Sequence, residues 1–97
     1  MYGTVAILRV TPGREGQLVE LAREFEKEIS GLVSEQIYRT DADANVYMMA
    51  VAFTSREAYR VNAASSEQHA RYLKLRELLA EDPTWHDGEI VYSFGPA

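Results

Sequence analysis

Tyr59, Asn62, His69, Tyr72, Arg76, Trp85 and His86 stand close together in the second half of a 97-residue chain. Their types are hydroxyl, amide, imidazole, guanidinium and indole. Such groups together can hold a flat ring, take a proton from it and stabilise the oxyanion left behind. Each also has a plainer use. Asn62 falls near the end of a short helix, a place where asparagine closes a C-terminus well. His69 belongs to the residue type that changes charge near neutrality, yet lies one turn into a polar, acidic helix start. Tyr72 shares a stripe with Leu75 and Leu79 and therefore points inward, as a core tyrosine would. Arg76 lies one turn further on, where it could neutralise an enolate or join Arg71, Lys74 and Glu77 on a solvated face. Trp85-His86-Asp87-Gly88 is the one dense cluster of uncommon residues. Trp85 there can close one end of a pocket, whereas His86 and Asp87, as neighbours in extended chain, face opposite ways and do not make a direct pair.

Composition narrows the chemistry. There is no cysteine, so disulfides, thiolate nucleophiles and zinc-thiolate sites are excluded. Ten Lys plus Arg against fifteen Asp plus Glu leave a net charge of -5, which repels phosphate backbones and anionic membrane surfaces alike. No apolar run approaches 18 residues, and no basic, apolar leader opens the chain, so the expectation is a cytoplasmic protein with neither a nucleic-acid nor a membrane partner. Asp41-Ala42-Asp43-Ala44-Asn45 has calcium-like oxygen spacing but lacks the glycine and distal glutamate of an EF-hand loop, and reads as a hairpin turn. His69 and His86 are too far apart in sequence to suggest a metal site, so no metal is expected.

These residues need elements to position them. Tyr2 to Val10 is β-branched and apolar and stops at Thr11-Pro12-Gly13, which marks a first strand. From Arg14 to Ser30 the apolar positions Leu18, Leu21, Ala22, Phe25 and Ile29 recur at helical spacing, with Gly31 placed as a C-cap. Leu32 to Arg39 is a second strand, joined by the Asp-rich turn to a third at Val46 to Phe53. Thr54-Ser55-Arg56-Glu57 has capping-box spacing and opens a short helix to about Asn62; Ser65-Ser66-Glu67-Gln68 repeats the signal for a longer one to about Ala80. Pro83 follows, and a last strand runs from about Gly88 to Phe94. The order β, α, β, β, α, α, β in a single domain predicts an α+β fold, the ferredoxin-like split βαββαβ motif with an antiparallel sheet and its helices on one face.

The third strand sets a further condition. Val46-Tyr47-Met48-Met49-Ala50-Val51-Ala52-Phe53 does not alternate, so both of its faces call for cover. Burying a medium-sized apolar side chain is worth roughly 1.5–3 kcal/mol, against roughly 5–15 kcal/mol for a whole domain. The chain is too short to cover both faces itself, which predicts a homodimer. By size alone, Val46, Met48, Ala50 and Ala52 would leave room for a ligand under the helices. The larger Tyr47, Met49, Val51 and Phe53 would then fill the space between two sheets.

Val10-Thr11-Pro12-Gly13-Arg14-Glu15, Gly31-Leu32 and Phe53-Thr54-Ser55-Arg56-Glu57-Ala58-Tyr59 resemble the antibiotic biosynthesis monooxygenase family of dimeric α+β barrels. The resemblance spans nearly the whole chain. It implies a homodimer whose sheets pack face to face into a barrel, with a pocket in each subunit between sheet and helices, and it puts Asn62 at that pocket. The haem-degrading branch of the family carries an asparagine, a tryptophan and a histidine at places that here hold Ala6, Asn62 and Arg71. The nearest histidine, His69, lies about half a helical turn from Arg71. Haem, which needs a strong axial donor, is therefore not expected.

The function this implies is a cofactor-independent monooxygenase acting on an aromatic or quinol-like, polyketide-type metabolite. An electron-rich phenol, once deprotonated, can pass electrons to oxygen without help from a cofactor. Asn62, Tyr72 and His69 are the catalytic candidates, and Tyr59, Arg76, Trp85 and His86 the substrate-binding ones. The alternative is a non-catalytic dimeric protein of the same fold that binds a hydrophobic metabolite.

Overall fold

The computed structural model describes residues 1–95. Four strands, β1 Tyr2–Arg9, β2 Leu32–Arg39, β3 Val46–Phe53 and β4 Thr84–Glu89, form one sheet in the order β2-β3-β1-β4 with every neighbour antiparallel. Three helices, α1 Glu15–Glu26, α2 Arg56–Ala63 and α3 Ser66–Arg76, complete the ferredoxin-like α+β arrangement. The Asp-rich segment is the β2–β3 turn. Asp43 Oδ1 accepts from the Asn45 N–H at 2.9 Å, and Thr40 Oγ1 donates to the Asp43 carbonyl at 2.8 Å, so its oxygens serve the chain reversal. Both short helices start where serine can cap them: Ser55 Oγ accepts from Ala58 N and Ser65 Oγ from Gln68 N.

Register decides the faces. Tyr2, Thr4, Ala6 and Leu8 of β1 lie opposite Phe53, Val51, Met49 and Tyr47 of β3, so these residues share one face. Ala6, Leu8, Val10 and Tyr47 of that face are buried against Leu18 of α1 and Leu78 and Leu79 beyond α3, forming the core at one end of the sheet. The helices thus cover the larger residues of β3, the reverse of the assignment from size. Bulk is needed where a sheet must fill the gap to helices, and the small set Val46, Met48, Ala50 and Ala52 lies on the open face instead. There Val5, Ile7 and Met48 remain 38%, 37% and 38% exposed.

Three boundaries differ from the sequence reading. Helix α1 ends at Glu26, where Glu28 N donates to Phe25 O at 2.9 Å and tightens the last turn instead of continuing the helix. Gly31 is consequently no C-cap. It takes φ +81° at the entry to β2, its carbonyl accepts from Thr54 N at 2.9 Å, and a Cβ there would stand 3.0 Å from Ala58 Cβ. Helix α3 stops at Arg76 because the next residues pair with the end of β1: Thr11 N donates to Leu78 O and Ala80 N to Arg9 O. The last strand is Thr84–Glu89 rather than 88–94. Glu89 already pairs with Tyr2, so the apolar residues after Ile90 have run past the start of β1 and have no strand opposite. Val91, Tyr92 and Phe94 are 91%, 79% and 91% exposed.

Candidate active site

At the end of the sheet away from the core, the helices stand off and leave a cavity of about 420 Å³. Its floor comes from the helix-facing residues of all four strands. Glu35 of β2 lies opposite Val51 of β3, Val51 opposite Thr4 of β1, and Thr4 opposite Asp87 of β4. One row across the sheet therefore reads carboxyl, isopropyl, hydroxyl, carboxyl. Leu21, Phe25 and Ile29 form an apolar wall on the α1 side, and the α2–α3 corner forms the roof.

Asn62, the first catalytic candidate, does two things in this corner. Its backbone carbonyl closes α2, accepting from Ser65 N at 3.0 Å and Ser65 Oγ at 2.7 Å. Its side chain is turned instead to the cavity and is held there. Arg71 Nη2 donates to Asn62 Oδ1 at 2.9 Å and Arg71 Nε to Gln68 Oε1 at 3.0 Å, while Asn62 Nδ2 donates to the same Gln68 oxygen at 3.2 Å. Arginine can only donate, so these bonds fix which end of each amide is oxygen. One Asn62 N–H is left over, since an amide carries two. Gln68 occupies the capping-box position of α3, but its side chain is spent on this network.

Arg71, read from sequence as part of a solvated face, is only 8% exposed. It lies 3.6 Å from Glu28 Oε2 as well as bonding both amides, so its charge is satisfied within the roof. Its solvent-face assignment failed because α3 turns this position toward the α2 corner.

Tyr72, His69, Tyr59 and Trp85 also line the cavity. Tyr72 is half-buried, His69 sits on the exposed rim, and Trp85 is 41% exposed on the edge strand β4. Tyr59 donates to Asp87 Oδ1 at 2.8 Å, and its ring packs on Phe53 and Tyr2 with centroids 5.4 and 5.3 Å away. Burial, reinforced by the Asp87 carboxylate, pushes the Tyr59 hydroxyl up to about 12. It is therefore a fixed donor at neutral pH and not a base.

The structure does not bring Arg76 and His86 to this cavity. Arg76 Nε is bonded to Asp82 Oδ1 at 2.7 Å and its Nη1 to the Leu79 carbonyl, which holds it on the loop after α3. His86 lies opposite Val5, on the open face of the sheet. Asp87, its neighbour, faces the cavity, as the alternation of a strand requires.

Glu35 and Thr4 also line the cavity, and neither carries a signal in the sequence. Glu35 sits in a polar stretch, Ser34-Glu35-Gln36, that looks like any solvated edge strand. Only the register puts it on the cavity floor. Burial raises its carboxyl above the ordinary range, and Glu26 adds to the effect. Thr4 Oγ1 is buried without a hydrogen-bond partner among the described residues.

No protein-family model matches the chain, and no curated sequence does. Solved structures do match. The chain superposes on SnoaB, a cofactor-independent oxygenase from Streptomyces nogalater solved in a mutant form, with TM-score 0.78 at 18% identity, covering 95% of this chain and 94% of that one. A protein of Chloroflexus aurantiacus assigned to the antibiotic biosynthesis monooxygenases matches with TM-score 0.77 at 19% identity over 99% and 98% of the two chains. One of Bordetella bronchiseptica with the same assignment matches with TM-score 0.76 at 22% identity over 94% and 97%. The chain has the fold of the antibiotic biosynthesis monooxygenases.

Proposed function

We propose that this protein is a cofactor-independent monooxygenase of an aromatic or quinol-like metabolite, bound in the cavity between sheet and helices. The observation that carries this reading is the Asn62–Gln68–Arg71 network. A buried guanidinium is spent on orienting two amides, so that one Asn62 N–H is presented without rotating freely; donors fixed in advance are what a developing oxyanion needs. The apolar wall of Leu21, Phe25 and Ile29 suits a flat ring, and the Tyr72 hydroxyl and Asn62 amide lie on the roof where an oxygen substituent would meet them. The catalytic step asks for deprotonation of the ring hydroxyl, after which the electron-rich anion reacts with O₂ itself. Asn62 and Tyr72 stabilise the anion, and Tyr59 and Trp85 shape the β4 end of the site. His69 stands at the rim of the site.

The working form is a homodimer in the cytoplasm. The support for the dimer is the open sheet face, where Val5, Ile7 and Met48 lie uncovered side by side. Such a row favours burial against an equal surface.

The test is oxygen uptake with a panel of anaerobically prepared anthrones and hydroquinones. Asn62→Ala and Tyr72→Phe should each lower turnover, by about 10²-fold for the amide. Tyr72→Phe should keep its thermal midpoint within a few degrees of the wild type, whereas Asn62→Ala, which takes an acceptor from the buried Arg71, should also lower it. Unchanged turnover in both variants removes them from the site. Saturable quenching of Trp85 fluorescence by compounds that never accelerate oxygen uptake would make the protein a metabolite binder without chemistry.

A further inference from the structure

The roof of the cavity supplies donors, but the reaction must begin by removing a proton from the bound substrate. We infer that Glu35 is the catalytic residue that takes this proton. The inference rests on the oxygenase reading above and adds the base that reading requires.

Four observations carry it. Glu35 lies on the cavity floor, placed by its register opposite Val51. Among the described residues neither a hydrogen bond nor a cation holds it; what acts on it is burial and the like charge of Glu26. The second floor carboxylate, Asp87, is already engaged by the Tyr59 hydroxyl at 2.8 Å, which leaves Glu35 as the uncommitted acceptor. The cation of the cavity, Arg71, is committed to Gln68, Asn62 and Glu28, so it does not quench the Glu35 carboxylate either. Glu35 is half-buried, so its carboxylate gives up part of its hydration with no partner among the described residues to replace it.

In the step proposed, the O–H bond of the substrate phenol breaks, its proton forms an O–H bond on Glu35, and the electron pair stays on the phenol oxygen. The resulting anion adds O₂ at a ring carbon, and Glu35 returns the proton to the peroxide so formed. The O–O bond and the C–H bond at that carbon then break, water leaves and a carbonyl remains on the substrate, while Glu35, ionised by giving up its proton to the peroxide, is ready for the next cycle. A carboxyl held above its ordinary range is better matched to a phenol than a solvated one.

The experiment compares wild type, Glu35→Gln and Glu35→Asp on whichever anthrone or hydroquinone of the panel the wild type oxidises fastest, across pH. The groups facing Glu35 from the packed elements are Glu26 of α1, Tyr59 of α2, His69, Arg71 and Tyr72 of α3, and Asp87 of β4, so the variants must be compared at every pH. The wild type should lose kcat/KM toward acid as Glu35 protonates. Glu35→Gln should fall by about 10²-fold or more and lose that acid limb, while Glu35→Asp keeps the limb at reduced rate. Trp85 quenching should show that Glu35→Gln still binds the compound. A Glu35→Gln enzyme within threefold of wild type, or one that keeps the acid limb, overturns the role of Glu35 and leaves the oxygenase reading standing. Absence of wild-type turnover overturns both.

Discussion

At the scale of residues, Glu35 has no partner among the described residues, while several other groups around the cavity have partners already decided. Tyr59 shows this best. Its hydroxyl is committed to Asp87 and its ring to Phe53 and Tyr2, and it ionises only at about 12. An unfolded tyrosine ionises near 10, so between about 10 and 12 the unfolded chain has lost a proton that the folded one keeps. The contribution of Tyr59 to stability is thus complete below about 10 and is lost as pH rises through its folded value. In a titration followed by NMR of the tyrosine ring carbons, Tyr59 should be the late-titrating residue. Asp87→Asn should bring it only part of the way down, because burial is the larger cause. A Tyr59 that titrates together with exposed tyrosines would contradict the buried hydrogen bond. Glu35 carries the opposite lesson for reading sequences. Candidates Asn62, Tyr72, His69, Tyr59 and Trp85 were visible because helical spacing and uncommon residue types mark them, whereas an edge-strand glutamate looks like solvent-facing chain until the register is known.

At the scale of elements, strands β1 to β3 and all three helices were legible because apolar periodicity and serine caps are local signals. What was not legible depended on pairing. The faces of β3 follow from what lies opposite in β1, and the limits of β4 follow from where β1 begins; neither is written in the residues themselves. Gly3 is another case of pairing. A Cβ at this position would lie 1.9 Å from the Val51 carbonyl oxygen and 3.2 Å from Ala52 Cα, so β1 and β3 approach one another here only because the side chain is absent. Gly3→Ala must move backbone, with a cost of about 2 kcal/mol or more. For a domain this size that is a fall of roughly 10 °C in thermal midpoint. Calorimetry showing an unchanged midpoint would mean that the two strands do not come so close.

At the scale of the whole molecule, one sheet serves two purposes. Its helix-facing side changes along its length from a packed core around Leu8, Val10 and Leu18 to an unfilled cavity beside Thr4 and Val51. Rigidity at one end thus holds the site at the other. The opposite face is apolar at its centre and accounts for the run of apolar residues in β3, the half of that run the helices leave uncovered. Sedimentation should find a species of twice the 11.0 kDa chain mass at micromolar concentration. Ile7→Glu, which sets like charges on that face in both copies, should shift it to monomer. A wild-type monomer at that concentration would refute the dimer.

The cavity itself is tested most directly by running the wild-type reaction under ¹⁸O₂ and weighing the product. A monooxygenase that uses no cofactor should consume one O₂ per substrate and leave one labelled oxygen atom in the product, the other departing as water. A product without label, or no oxygen consumed with any compound that quenches Trp85, would contradict the account.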